Sequence, residues 1–359
     1  MSQYEREHQS PSPPVMRRIS ESLNIPVRYF LHEPAREGLG TVFYRCMSAA
    51  TKKSRQRAER RYEWLRDITM FLQTHVRFPE VQFPTFDLPD DPTRIDDDQI
   101  EELASETRRT WGVGTGPISN VTWLLENKGA VVTRCELGST TLDAFSEWSE
   151  QGSAPYVVLG FGKGSAARSR WDAAHELGHM VMHRHLEKSL LLQRDVFKHV
   201  EAQAHRFAGA FLLPARTFAG DVYSPSLDGL RALKEKWRVS IAAMIKRVAQ
   251  LDLIGESRER RLWVNLGRRK WRTKEPLDDV LELEEPRFLR RAMELLVTKG
   301  IVAPNEVPAR LALAAHDIEE LTGLPPGYLS EAGPDIELVN DDHDHEDKEA
   351  RIIRFPDVK

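Results

Sequence analysis

The sequence predicts an α+β fold in which a small sheet lies beside two helices that carry ionisable side chains. Three observations lead to this prediction. Residues 155–160 form an apolar run that is typical of a buried strand. Residues 170–182 contain no proline and place apolar side chains at helical spacing. Residues 201–214 show the same spacing and end at a proline, which predicts a second helix.

The first helix carries the motif HExxH, which runs from His175 to His179. Positions four apart lie one above the other on a helix, so both imidazoles can reach one metal ion. Glu176 then stands where it can take a proton from a water at that metal. The motif therefore predicts a metal site, and we expect zinc there, with manganese as the alternative.

A third ligand is needed, and one candidate follows the motif directly. His185 lies ten residues after His175, which is the spacing of the pattern HExxHxxGxxH. That pattern needs a glycine to break the helix, and this chain has Met182 at the position. An unbroken helix would carry His183 along the metal-facing stripe and turn His185 away.

The other candidate is a carboxylate on the second helix. Glu201 precedes Ala204 by three residues and so leads the apolar stripe of that helix. A buried glutamate is costly unless it is paired or bound to metal, and a site of two histidines and one glutamate suits zinc. His205, one turn further on, is open between two interpretations: a partner of this site, or a histidine at the edge of the core.

The two helices together resemble the signature of the ImmA/IrrE family of metallo-endopeptidases. The segments that carry the resemblance are RWDAAHELGHMVMHRH and EAQAHRFAGAFLLPA. The stretches WGVGTGPISNVTWLLENKGAVV and LDAFSEW are similar to the lead-in helix and the first two strands of that family, so the resemblance covers roughly residues 95 to 255. It implies a zincin-like metallopeptidase core with a small antiparallel sheet. It also implies that the metal ligands are His175, His179 and Glu201, with Glu176 as the general base.

The resemblance implies a function of regulatory type. We expect a zinc endopeptidase that hydrolyses peptide bonds in a protein target, and in relatives the target is a helix-turn-helix repressor. The alternative is a transcriptional regulator or toxin–antitoxin-like interaction protein that uses the fold to bind DNA or protein. The presence of Glu176 argues for the enzyme, because an interaction protein has no need of a general base.

Composition favours a cytoplasmic protein. The chain has 359 residues, a formal net charge of −4 and two cysteines, so it offers no disulfide framework. No apolar stretch approaches the ~18 residues of a membrane span, and no signal peptide core follows the N-terminus. We therefore expect no membrane partner.

Shifts in charge and proline content predict the domain organisation. The N-terminal segment MRRISESLNIPVRYFLHEP resembles the last helix of an XRE-type helix-turn-helix domain, which would then be truncated here. We expect the peptidase domain over residues 100–255. The flanking segments are a disordered stretch at 1–14, a helical region at 15–86, an acidic proline-rich linker at 87–99, a helical region at 256–332 and an acidic disordered tail at 333–359.

Residues 227–254 predict a pair of helices with helix-turn-helix form inside the peptidase region. Ser240 is placed to cap the second helix. The basic side chains near the turn are the candidates for a contact with DNA phosphates, and they are Lys236, Arg238, Lys246 and Arg247.

Beyond this pair the patterns are less distinctive. Residues 262–266 predict a short strand, and residues 285–296 and 307–321 predict two further helices.

Overall fold

The computed structural model of the chain describes residues 4, 9–23, 25–31, 51–138, 143–149, 154–161 and 165–330. Two compact units can be distinguished. The first comprises Met1–Glu37, Arg60–Phe78 and Arg287–Lys359, and the second comprises Gly38–Glu59 and Pro79–Pro286. The expected disordered tail at 333–359 and half of the expected disordered stretch at 1–14 lie outside the described residues.

Helices dominate the described residues, and the second unit also contains a small sheet. In chain order the helices are α1 (Pro13–Leu23), α2 (Lys52–Gln73), α3 (Asp97–Trp111), α4 (Val121–Asn127), α5 (Ala166–Met182), α6 (Lys188–Leu191), α7 (Arg194–Leu212), α8 (Ala215–Asp221), α9 (Leu227–Trp237), α10 (Ile241–Gln250), α11 (Glu256–Arg268), α12 (Phe288–Thr298), α13 (Glu306–Leu311) and α14 (Ala315–Thr322). The strands are β1 (Val131–Cys135), β2 (Ala144–Trp148) and β3 (Pro155–Gly160). The predicted α+β class is confirmed.

The sheet is mixed, which corrects the expectation of an antiparallel one. Its strand order is β1-β3-β2, with β1 parallel to β3 and β2 antiparallel to β3. β3 lies between the other two strands and is buried along its whole length. Because the link from β2 to β3 is short, these two strands can pair as a hairpin, and β1 is left to pair with the far side of β3.

Strand β2 packs on the helix that carries the HExxH motif. Phe145 is fully buried, and the indole N–H of Trp148 donates to the carbonyl of Met180 on α5 at 3.2 Å. The start of α5 is fixed by Arg170, a buried side chain that is paired with Glu284 and also donates to the carbonyl of Ile118. The motif helix is therefore held at both ends.

Helices α5 and α7 approach each other closely at Gly178. A Cβ atom built on Gly178 would lie 3.2 Å from Cβ of Phe207 and 3.3 Å from Cα of Ala204. Since this position has no side chain, α7 can lie against α5 and bring its own polar residues next to the motif.

The predicted pair of helices is present as α9 and α10, and Ser240 caps α10 by accepting from the backbone N–H of Ala243 at 3.1 Å. One predicted DNA contact is wrong, however. Arg247 is fully buried, where it donates to both carboxylate oxygens of Glu101 and to the carbonyl of Leu213. It stabilises the core of the domain and cannot reach a phosphate.

The predicted strand at residues 262–266 is also wrong, because this segment lies within helix α11. Leu262 and Leu266 are buried, while Val264 is half exposed. Alternation of apolar residues suggested a strand, but the two buried leucines are four residues apart, which suits one face of a helix equally well.

The first unit contains α2 from Arg60 onward and the helices from α12 onward. Within it, Arg61 pairs with Asp317 at 2.8 Å and with Glu320 at 2.7 Å. The predicted helix at 307–321 is divided, because Ala312 takes a left-handed conformation between α13 and α14. None of the described helices is long and apolar enough to cross a membrane.

Candidate metal centre

Helix α5 presents both histidines of the motif at one point. The Nε2 atoms of His175 and His179 lie 3.0 Å apart, and both residues are buried. This convergence follows from the spacing of four residues on a helix that runs unbroken through the motif. The second imidazole nitrogen of His175, Nδ1, is buried and has no hydrogen-bond partner in the described structure.

Helix α7 brings Glu201 to the same point. One carboxylate oxygen of Glu201 lies 3.2 Å from His179 Nε2, and the other lies 3.5 Å from His175 Nε2. Burial alone would raise the pKa of Glu201, but the adjacent side chains of His175 and His179 outweigh it and hold this pKa well below its usual range. Glu201 is therefore an ionised acceptor at neutral pH.

This arrangement fits a divalent metal ion. In a tetrahedral zinc site with ligands at ~2.0–2.1 Å, neighbouring ligand atoms stand about 3.3–3.5 Å apart. The separations among His175, His179 and Glu201 are 3.0, 3.2 and 3.5 Å, close to those values. Two neutral imidazoles and one carboxylate are also a donor set that zinc accepts.

A second grouping at this place includes His205. Ligand atoms of His175, Glu201 and His205 lie within 4.8 Å of one another, and the rings of His175 and His205 are 4.3 Å apart. However, the indole N–H of Trp171 points at Nδ1 of His205 at 3.3 Å. If Nδ1 of His205 accepts this hydrogen bond, the single ring proton of the neutral imidazole must be on Nε2. His205 then has no lone pair free to bind a metal.

The histidine that the HExxHxxGxxH pattern would use lies elsewhere. His185 is exposed, and its Nε2 is 3.4 Å from the carbonyl of Pro89. Helix α5 ends at Met182 although no glycine is present there, so the helix does not continue as expected. His183 nevertheless stays beside the motif, with its Nδ1 3.0 Å from Nδ1 of His179.

Glu176 lies on α5, and its buried side chain contacts strand β2 of the sheet. The hydroxyl of Ser146 on β2 donates to its carboxylate at 2.6 Å. Burial raises the pKa of Glu176 to about 7, although the neighbouring His175 and the Ser146 hydrogen bond both act to lower it. A carboxyl group with a pKa near neutrality can both accept and return a proton.

Asp172 lies one turn before Glu176 on the same helix. Burial raises the pKa of Asp172 to about 7, and the negative charges of Asp143 and Glu176 add to this effect. Two carboxyl groups with raised pKa values thus share one stretch of α5.

Several of these residues were not singled out from the sequence. Ser146 sits in a short strand with no motif of its own. Gln203 on α7, whose Oε1 lies 3.1 Å from Nε2 of His183, looks in the sequence like any other polar helix residue. His183, by contrast, was expected on the metal-facing stripe, since it follows His179 by one helical turn.

The fold and this site together have the features expected of a metallopeptidase domain. Residues 125–249 match the family model described as the IrrE N-terminal-like domain, a family of peptidases. The predicted resemblance is confirmed by this match, and the family implies a divalent metal and a protein substrate. No curated protein matches the chain.

Proposed function

We propose that this protein is a zinc-dependent endopeptidase that cleaves a peptide bond within a protein target. The observation that carries the proposal is the convergence of His175, His179 and Glu201, whose ligand atoms lie 3.0 to 3.5 Å apart. The buried carboxylate of Glu176 stands on the same helix, one residue after the first of these ligands.

His175, His179 and Glu201 would hold the metal. When bound, a zinc ion supplies the Lewis acidity that polarises a scissile carbonyl. Glu176 accepts the proton of the attacking water and then delivers it to the nitrogen of the leaving amine. The hydroxyl of Ser146 keeps the carboxylate in place by donating to one of its oxygens.

The nature of the target follows from the resemblance. Family relatives act on helix-turn-helix repressors, so we propose a repressor as the substrate. The alternative, a binding module without catalysis, is less well supported, because neither DNA nor protein binding would require a buried Glu176 that is held by a hydroxyl.

Purified protein loaded with zinc tests the proposal. Native protein extract from the source cells is incubated with it, and new N-termini are labelled and identified by mass spectrometry. We expect a small set of cleavages that disappears when a chelator removes the metal. An unchanged set of N-termini with and without zinc would refute the proposal.

A further inference from the structure

A chain of buried hydrogen bonds leads away from His179. Its Nδ1 lies 3.0 Å from Nδ1 of His183, and Nε2 of His183 lies 3.1 Å from Oε1 of Gln203. The amide nitrogen of Gln203 donates to the carbonyls of Pro92 at 2.7 Å and Ile95 at 3.0 Å. All three side chains are buried.

The two backbone carbonyls fix the direction of every bond in this chain. A carbonyl oxygen can only accept, so both amide protons of Gln203 are used at Pro92 and Ile95. The remaining Oε1 of Gln203 is itself only an acceptor. Nε2 of His183 must therefore carry a proton and donate it.

The same reasoning continues to the metal centre. A neutral His183 with its proton on Nε2 has a bare Nδ1, which accepts. Nδ1 of His179 must then carry the proton, and Nε2 of His179 keeps its lone pair. That Nε2 is the atom that faces His175 and Glu201.

We propose that His183 and Gln203 are positioning residues that hold His179 in the one tautomer able to bind a metal, an inference that rests on the proposed metal site. A free imidazole exchanges between two tautomers, and only the form with the proton on Nδ1 presents Nε2 as a ligand. Partners of this kind fix the ring orientation and increase the basicity of the ligand.

Reversing the direction of these hydrogen bonds is incompatible with the backbone carbonyls of Pro92 and Ile95. A rotated Gln203 amide would place its oxygen against the carbonyls of Pro92 and Ile95, leaving three acceptors together without a proton. The turn Pro92–Arg94, which falls in the segment expected to be a linker, thus sets the state of a metal ligand through two side chains.

Nitrogen NMR of the metal-free wild-type protein, labelled at histidine nitrogens, tests the inference without any substitution in the chain of bonds. We expect His179 protonated at Nδ1 and His183 protonated at Nε2, each as a single tautomer. A His183 that carries its proton on Nδ1 would overturn the inference.

Zinc affinity, measured by competition with a chelator, provides the second test. His183→Leu removes the acceptor and should weaken zinc binding by about 10–100-fold. His183→Asn offers an amide oxygen to Nδ1–H of His179 and should recover part of this loss. His185→Leu, a change at an exposed histidine two residues away, should bind zinc like the wild type.

The outcomes separate this inference from the proposed function. If the wild type binds zinc and a folded His183→Leu variant binds it equally well, the positioning role is refuted and the peptidase proposal stands. If the wild type binds no zinc, the proposed function fails. The tautomers of His179 and His183, measured by NMR in the metal-free protein, still show which way the hydrogen bonds run.

A separate observation concerns a basic cavity lined by residues of α9 and α11. This arginine pocket has a volume of about 630 Å³ and lies between the start of α9 and one face of α11. The charged residues that line it are four arginines and one aspartate, which are Arg258, Arg261, Arg268, Arg269 and Asp228. Its formal charge of +3 contrasts with the net charge of −4 of the whole chain.

Most of this positive charge is not neutralised by the protein. Arg269 binds both oxygens of Asp228, at 2.6 and 2.9 Å. Arg258, Arg261 and Arg268 have no ion pair within the described parts of the chain, and all three are exposed. They are spaced by three and seven residues on α11, so they share one face of the helix.

We infer that the arginine pocket binds the phosphodiester backbone of a nucleic acid. Guanidinium groups bind phosphate oxygens through two parallel hydrogen bonds. From Arg258 to Arg268 the helix rises about 15 Å, which suits several successive phosphates rather than one small anion. This surface on α11 is separate from the predicted DNA contact at the turn between α9 and α10, of which Arg247 is buried.

Neighbouring arginines on α11 provide a matched pair for the test. Arg261 lines the pocket, whereas Arg260 pairs with Glu256 and does not line it. Binding of a labelled DNA duplex is measured by fluorescence anisotropy over a range of salt concentrations. Arg261→Ala should reduce the slope of log K against log salt by about 0.9, and Arg260→Ala should leave it unchanged.

Three results would overturn this inference: no binding of the wild type at low salt, an equal loss in both variants, or binding of a poly-glutamate peptide with none of the duplex. The last result would identify the pocket as a site for an acidic protein segment.

Discussion

The hydroxyl of Ser146 on strand β2 donates a hydrogen bond of 2.6 Å to the carboxylate of Glu176 on helix α5. This bond joins the sheet to the group that we propose as the general base. Strand and helix come from separate parts of the sequence, yet their packing places a single hydroxyl where it can orient the carboxylate of Glu176. The relationship leads directly to a first prediction.

Ser146→Ala should reduce the rate of cleavage by about tenfold, since a carboxylate without its partner is less well oriented. The hydrogen bond lowers the pKa of Glu176, so its loss should raise that pKa and move the acidic limb of the pH–rate profile to higher pH. The measurement is kcat/KM against pH for any peptide that the wild type cleaves. Ser146→Thr, which keeps the hydroxyl, should retain the profile of the wild type, and the same profile for the alanine variant would contradict the assigned role.

The second prediction distinguishes the two possible ligand sets. His179→Ala and Glu201→Ala should each remove bound zinc, because three ligands are needed to hold the ion. His205→Ala should keep about one zinc per chain, since the indole of Trp171 occupies its Nδ1. Metal content is read by mass spectrometry after dialysis. If His205→Ala loses zinc while His179→Ala retains it, the ligands are instead His175, Glu201 and His205.

Sequence reasoning predicted most of this site because its members follow helical periodicity. His175 and His179 are four residues apart on one helix, and Glu201 leads an apolar stripe on the next, so each was visible as a local pattern. Ser146 and Gln203 were not, because their roles depend on packing between a strand, two helices and the turn at Pro92. The mixed sheet was missed for the same reason. Whether two strands pair parallel or antiparallel depends on how the chain connects and packs them, and not on the residues within each strand.

A third prediction concerns the pH dependence of stability. The pKa of Asp172 in the folded protein is about 7, above the ~3.9 of an unfolded chain. The folded state therefore binds more protons, and the stabilisation linked to this group is complete below pH ~4 and lost as the pH rises to about 7.

Asp172→Asn removes this dependence. One unit of pKa shift corresponds to about 1.4 kcal/mol, so we expect the free energy of unfolding at pH 8 to increase by at least about 1 kcal/mol. Urea denaturation of the metal-free protein at several pH values provides the measurement. Asp90→Asn, at an exposed position, serves as the control. An identical pH dependence in wild type and Asp172→Asn would contradict this assignment.

The fourth prediction tests the close approach of α5 and α7. Gly178→Ala should lower the free energy of unfolding by at least about 1 kcal/mol, because the new methyl group meets Cβ of Phe207 and Cα of Ala204, which cannot easily move. Zinc affinity should fall as well, since α7 carries Glu201.

Gly209→Ala is the matched control on α7. The nearest neighbour of its added methyl group would be the ring of Trp171 at 3.5 Å, which is an ordinary contact. The higher helix propensity of alanine should then stabilise the protein by up to about 1 kcal/mol. Equal effects of the two substitutions would show that the contact at Gly178 does not limit helix packing.

The most direct test of the central claim, that this is a metal-dependent peptidase with Glu176 as its base, is a comparison of wild type and Glu176→Gln in the same cleavage experiment. The substitution keeps size and helix propensity but removes the proton acceptor. We predict an equal zinc content in both proteins and a loss of cleavage by at least about 100-fold in the variant, measured as new N-termini in native cell extract. Equal cleavage by the two proteins at equal zinc content would contradict the account.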